Sequence, residues 1–258
     1  MVGNNPSIFV GEGYDFIELR EYAPGDDIRR IDWNITAKMQ KPYVKIFREE
    51  RELNVVIASV LNGSVHFGSK RFKQDVIAEV VAQLGYSTLK NGDLLSSYVF
   101  TDKMVSHNKP SKKLHQVQKS VGEILDFDAL HQKCDFKVIA STLYKRLKRR
   151  SLILVVGDFF ELPDFRLLAK KHEVVAVVVR DHMEEKPPKM GFASLVDPES
   201  GGVLEGDFNA SSVEAYAKRV HAHDRELYDA FRKQQIRFAK VYTDASVGVA
   251  LRRLFEGR

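Results

Sequence analysis

Between residues 53 and 258 the apolar positions keep two rhythms. Three stretches are apolar almost without interruption: Leu53 to Ser59 (LNVVIAS), Ser151 to Asp158 (SLILVVGD) and Glu173 to Arg180 (EVVAVVVR). Such runs belong to strands covered on both faces, which favours a parallel sheet. Between them the spacing lengthens to three and four residues. Phe72, Val76, Ile77, Val80, Val81 and Leu84 predict a helix through Lys70 to Lys90, stopped by Asn91-Gly92-Asp93 before the strand LLSSYVF. A short strand or turn near Lys103 to Ser106 follows, then a polar stretch to Lys113. Helices are expected over Leu114 to Leu125, Asp135 to Lys148, Glu161 to Lys171 (entered through Pro163), Ser211 to Gln235 and Val247 to Phe255. Short strands fall around Ala193 to Val196 and Val203 to Leu204, and RFAKVYT is the last strand. The alternation predicts an α/β class: a doubly wound, mostly parallel sheet over residues 53–258, preceded by an N-terminal extension.

Residues 1–52 have a different character. Pro24-Gly25-Asp26-Asp27 is a turn signal, with Asp26 or Asp27 able to cap the helical turn that IRRIDW suggests. The segment then runs extended through Tyr43, Lys45 and Phe47, alternating with Val44 and Ile46. Opposite charges crowd together here, with Arg20, Glu21, Asp26, Asp27, Arg29, Arg30 and Asp32 set around Tyr22 and Trp33. The expectation is a salt-bridged corner that clamps the extension to the main domain; a recognition surface is the alternative.

Composition narrows the classes further. With 258 residues and 44% apolar content the chain can bury a real core, and a net charge of +5 suits solubility as well as an acidic partner. One cysteine, Cys134, rules out an internal disulfide and fits a reducing, cytoplasmic setting. No basic start followed by an apolar stretch is visible. The longest apolar runs fall short of the roughly 20 residues that span a bilayer.

Isolated chemical motifs are weak. Gly11-Glu12-Gly13 begins like a dinucleotide fingerprint, but Phe16 stands at the third glycine position, and no Walker A lysine motif exists. Gly25-Asp26-Asp27 reads as capping carboxylates rather than a metal site. His221 and His223 do not share a helix face and read as solvated. Cys134 reads as a small buried hydrophobe. Ser64 and His66 lack the G-x-S-x-G elbow of a hydrolase, since Asn62 and His66 take the glycine places. The basic run Lys145 to Arg150 complements a helix terminus, with nucleic-acid binding as the alternative.

One string is more specific. F-x-E-L-R-E-Y-x-P-G-D-D-I-R-R-I-D-W-N-x-T-A, from Phe16 to Ala37, resembles the opening signature of the family filed as domain of unknown function number 58. Arg20, Tyr22, Gly25, Asp26, Asp27, Arg29, Arg30, Asp32 and Trp33 carry it. RDHMEEKPPKMGFASLVDPESGG, from Arg180 to Gly202, resembles the family's later R-D-x-x-E and D-P-E-x-G elements. The resemblance implies a von Willebrand factor A-like domain, acting as an adaptor or assembly factor with ATPases of the MoxR class of the AAA+ group. It also implies where a metal-ion-dependent adhesion site would lie. The D-x-S-x-S positions fall on Val60, Asn62 and Ser64, the Thr position near Cys134, and the last Asp on Asp158. Magnesium requires hard oxygen ligands at about 2.0–2.1 Å, and Val60 offers none, while Cys134 is soft. The expectation is therefore a degenerate site with no cofactor, in which Asn62, Ser64 and Asp158 contribute to protein binding without catalysis. The competing readings are a metal-dependent binder or hydrolase using Ser64 and Asp158, and nucleic-acid binding through residues 145–150.

Overall fold

The computed structural model describes residues 14–49 and 52–256, so Gly11, Glu12 and Gly13 lie outside the described residues. The chain divides into two compact units, residues 1–52 and 53–258.

In the first unit β1 (Tyr14–Glu21) pairs antiparallel with β2 (Tyr43–Glu49), and α1 (Trp33–Met39) lies between them in sequence. The aspartates divide the local work. Asp26 closes the Pro24-Gly25 turn by accepting from Ala23 N and Arg20 Nη2, each at 2.8 Å, and Gly25 holds a φ of +108° that a side chain would resist. Asp27 caps a 3-10 turn over Ile28–Arg30. Asp32 caps α1, accepting from Asn34 N at 3.0 Å and Ile35 N at 3.2 Å, and pairs with Lys45 at 2.8 Å. The helical turn expected at IRRIDW is thus two pieces separated by Ile31, whose bridge to Val44 interrupts the helix. Within the unit Arg20 pairs with Asp26, Arg29 with Asp27 and Lys45 with Asp32, and the Ile28, Arg29 and Trp33 side chains are exposed.

The second unit runs β3 (Asn54–Val60), α2 (Lys73–Lys90), β4 (Leu94–Phe100), β5 (Met104–Ser111), α3 (Leu114–Leu125), α4 (Phe136–Arg146) and β6 (Leu152–Gly157). It continues with α5 (Arg166–Lys171), β7 (Glu173–Arg180), α6 (His182–Glu185), β8 (Gly191–Val196), β9 (Val203–Phe208), α7 (Ala210–Lys233), β10 (Arg237–Tyr242) and α8 (Val247–Glu256). Six strands form one sheet in the order β10-β7-β6-β3-β4-β5, parallel throughout except β5. The doubly wound class expected from the apolar runs is the one observed. Period-two alternation explains it residue by residue. Val55 and Ile57 join a core with α2, α3 and α8, while Val56, Ala58 and Val60 join a second core with α4, α5 and α7. Chain order reverses between β3 and β6, the switch point at whose carboxyl side open sheets bind ligands.

Several boundaries differ from expectation for local reasons. β5 is a full edge strand, longer than the short strand or turn expected: Asn108 points inward, donating to Ser97 Oγ and Glu123 Oε2, and an edge tolerates Pro110. α5 starts at Arg166, after a loop over residues 161–165 in which Asp164 Oδ1 accepts from Arg166 N at 3.1 Å. α4 ends at Arg146, so Lys148, Arg149 and Arg150 leave the helix and only Lys145 and Arg146 meet its dipole. α2 begins at Lys73, because residues 69–72 are held by other groups, Ser69 by Asp181 among them.

Asp32→Ala removes both cap acceptors of α1, so amide exchange at Asn34 and Ile35 rises and the first unit loosens. Arg29→Ala, at an almost fully exposed side chain, leaves both unchanged. Hydrogen–deuterium exchange on the full chain checks both outcomes.

Candidate functional site

The loop leaving β3 turns through Leu61 and Asn62 into a 3-10 turn at Gly63–His66. This brings three of the expected residues to the switch point. Ser64 Oγ donates to Asp158 Oδ2, just past the end of β6. Asn62, buried, donates from Nδ2 to Glu199 Oε1 at 2.5 Å while its Oδ1 finds no partner among the described residues. Val60 is not a ligand position at all. Its side chain is 1% exposed in the core, so close to Gly157 that a Cβ there would lie 3.0 Å from Val60 Cβ. Cys134 sits half-buried beside this loop, two residues after Gln132, whose carbonyl accepts from Gly63 N at 2.8 Å. Burial, then the carboxylates of Glu161, Asp158, Glu199 and Asp135, push the thiol well above its ordinary range, which disfavours the thiolate.

The central residue is one the sequence did not announce. Lys73, first in α2, is 0% exposed, and its ammonium reaches Asp158 Oδ2 at 3.0 Å and Glu184 Oε1 at 2.5 Å. Burial by itself would raise the Asp158 carboxyl, but Lys73, the Ser64 hydrogen bond and the Arg180 guanidinium outweigh it and hold the group below the usual carboxylate range. At Glu184 burial wins, and its carboxyl is raised.

A second buried chain of charges extends the first. Arg180, at the end of β7 and fully buried, donates to the Asp158 carbonyl and to Asp224 Oδ1 at 3.0 Å, with Phe160 stacked 3.9 Å from its guanidinium carbon. Asp224 also takes Lys240 at 2.8 Å, and Lys240 pairs with Glu185. Asp181 accepts from Ser69 N and Ser69 Oγ at 2.8 Å each and from the Thr243 hydroxyl, tying the start of α2 to the end of β10. Arg180, Asp181 and Glu184 are the R-D-x-x-E element, so the string quoted from the sequence did contain this signal. His223 corrects the solvated expectation: its Nε2 lies 3.1 Å from the Phe159 carbonyl and its ring packs on Phe160, while His221 is exposed. Phe159 itself holds φ +53°, an uncommon conformation for a non-glycine residue, anchored by stacking on Phe136 at 5.1 Å.

The D-P-E-x-G element closes over the β3 loop. His131 N donates to the Pro198 carbonyl at 2.8 Å, and a Cβ on Gly63 would lie 2.3 Å from that same oxygen, so this position admits only glycine. Chemically most of the edge is engaged, Asn62 Oδ1 and Arg180 Nε excepted. Ser64 faces a carboxylate already held by a cation, and an aspartate below its ordinary range is a weak general base. Among the described residues no three of His, Cys, Asp and Glu are grouped to hold a metal ion.

Removing Lys73 leaves a buried carboxylate uncompensated, so Lys73→Ala is expected to cost about 3–5 kcal/mol of unfolding free energy in denaturant titrations. The pH dependence follows from the signs. Asp158, Asp181 and Asp224 lie below their unfolded values, so their contribution is complete above the ordinary carboxylate range and lost as pH falls through the folded values. Glu184 runs oppositely, its contribution falling as pH rises through its raised value. Melting temperature should drop below about pH 4, with a shallower drop in Asp158→Asn.

The chain is 25% identical over 238 residues to the uncharacterized protein Rv1480 of Mycobacterium tuberculosis, covering 89% of this chain and 75% of that one. Among solved structures it is similar to the conserved hypothetical protein BatB of Bacteroides thetaiotaomicron (12% identity, 79% and 96% of the two chains, TM-score 0.48). It is also similar to an aerotolerance-related membrane protein of Bacteroides fragilis (10%, 79% and 99%, TM-score 0.46) and to the SpRpn10 VWA domain (8%, 81% and 96%, TM-score 0.41). None of the described helices is long and apolar enough to cross a membrane. The family model described as "Protein of unknown function DUF58" matches residues 18–226, and the chain belongs to that family.

Proposed function

We propose that this protein is a non-catalytic protein-binding module whose sheet edge is completed by its own lysine instead of a metal ion. Following the family resemblance, the partner is a MoxR-type AAA+ ATPase, for which the chain serves as adaptor or assembly factor. The observation that carries the reading is the Lys73 ammonium, fully buried between Asp158 and Glu184 with Ser64 on the same Asp158 oxygen. A divalent ion entering there would meet a fixed positive charge, and the carboxylate it needs in place of Val60 would have to sit in the apolar core. The residues do not fit magnesium, which demands several hard oxygens in octahedral array. The hydrolase alternative is disfavoured by the same geometry, since Ser64 donates its proton to Asp158 and not to an imidazole.

Two measurements test this. Millimolar magnesium or manganese should leave the melting temperature of the wild-type chain unmoved. A wild-type shift counts against the internal cation. Nucleotide-free MoxR-type ATPase should be retained on the immobilised full chain equally in magnesium and in EDTA. Retention only with magnesium rejects metal independence, and no retention rejects the partner.

A further inference from the structure

The β8–β9 hairpin stands apart from the main sheet as its own two-stranded antiparallel ribbon. In that register Phe192 faces Asp207, Ser194 faces Glu205 and Val196 faces Val203. Directly opposed residues of an antiparallel pair share a face. One face therefore carries Phe192, Val196 and Val203 together with Glu205 and Asp207. Its apolar members are 77%, 64% and 62% exposed, an unusual position for three large hydrophobes on one ribbon.

Charge is just as uneven. Residues 190–208 contain Asp197, Glu199, Glu205 and Asp207 and no Lys, Arg or His, within a chain whose formal charge is +5. A lone two-stranded ribbon is marginal by itself, yet this one is fixed at its turn, where Glu199 holds Asn62 and the Pro198 carbonyl accepts from His131 N. Ser212 Oγ also donates to the Asp207 carbonyl at 2.8 Å, fixing the other end to α7. An apolar row beside carboxylates, held firmly at both ends, is complementary to one kind of ligand.

We infer that this face docks a segment of the partner protein in which apolar residues are interleaved with Lys or Arg. The apolar row supplies the anchoring contact, and Glu205 and Asp207 select for basic neighbours and against acidic ones. The inference rests on the binding-module reading above and adds to it the surface and the chemistry of the partner. The same carboxylates oppose an anionic bilayer.

The test uses the full chain and a fluorescent peptide of alternating Leu and Lys, with a Leu and Glu peptide as control. Anisotropy should report binding of the basic peptide alone, weakening as salt rises. Phe192→Ser with Val203→Ser should weaken it by about tenfold or more, as should Glu205→Lys with Asp207→Lys. Glu214→Lys, at an exposed carboxylate on α7, should leave it unchanged. On the wild-type chain, hydrogen exchange should slow in residues 191–196 and 203–208 when peptide is added. Equal binding of both peptides, protection elsewhere, unaltered binding by the hairpin variants, or self-association lost in those variants would each overturn the inference. So would binding to anionic phospholipid vesicles that depends on Phe192. Retention of the ATPase by Phe192→Ser/Val203→Ser as strong as by wild type sinks the hairpin while leaving the module reading intact; no retention by wild type sinks the ATPase partner and leaves the peptide result standing.

Discussion

Burying an ammonium group is among the most costly things a fold does, and the carboxyl edge of this sheet is arranged to make it possible. Removal of an ion from water carries a penalty of several kcal/mol even after relaxation, and only close, well-oriented counter-charges offset it. Lys73 is also the first residue of α2, where the helix dipole disfavours a cation. Asp158 and Glu184 overcome both terms by approaching the ammonium from the end of β6 and from α6. Three separate pieces of the chain are thereby required to meet at one atom.

That requirement spreads. Asp158 must remain charged, and the Arg180 guanidinium bonded to its carbonyl contributes to keeping it so. Arg180 in turn needs Asp224 on α7, and Asp224 is shared with Lys240 on β10. Lys240 closes the series on Glu185, next to Glu184 where it began. Each partner in this series is thus fixed by another.

The fold was legible because it is written in nearest-neighbour terms. Val55 and Ile57 against Val56, Ala58 and Val60 give the two cores directly, and the spacing from Phe72 to Leu84 gives α2. Edges were harder: β5 is polar because only one side of it is covered, so it lacks the signal that marks a central strand. The site was legible in part. Asn62, Ser64 and Asp158 follow from the family's motif positions and do converge, with Asn62 linked to Glu199 instead of to the other two. Lys73 was invisible because its meaning comes from Asp158, 85 positions away, and Glu184, 111 positions away. In sequence it is one more lysine in a basic stretch. His223 misled for the same reason, its partner being the Phe159 carbonyl 64 positions back.

The polar edge and the β8–β9 ribbon meet at Glu199. Its carboxyl, raised above the usual range by burial, reaches inward to Asn62 while its neighbours in the same turn begin the exposed ribbon. Most strong donors and acceptors of the polar edge already hold one another, and Asn62 Oδ1, His66 Nε2 and Arg180 Nε are the buried polar atoms there without a partner among the described residues. The ribbon has the opposite composition: large apolar groups without cover and carboxylates without basic neighbours in their own stretch. Asn62 Nδ2 on the Glu199 carboxylate fixes the turn of that ribbon to the β3 loop, so its exposed face is held by polar contacts beneath it.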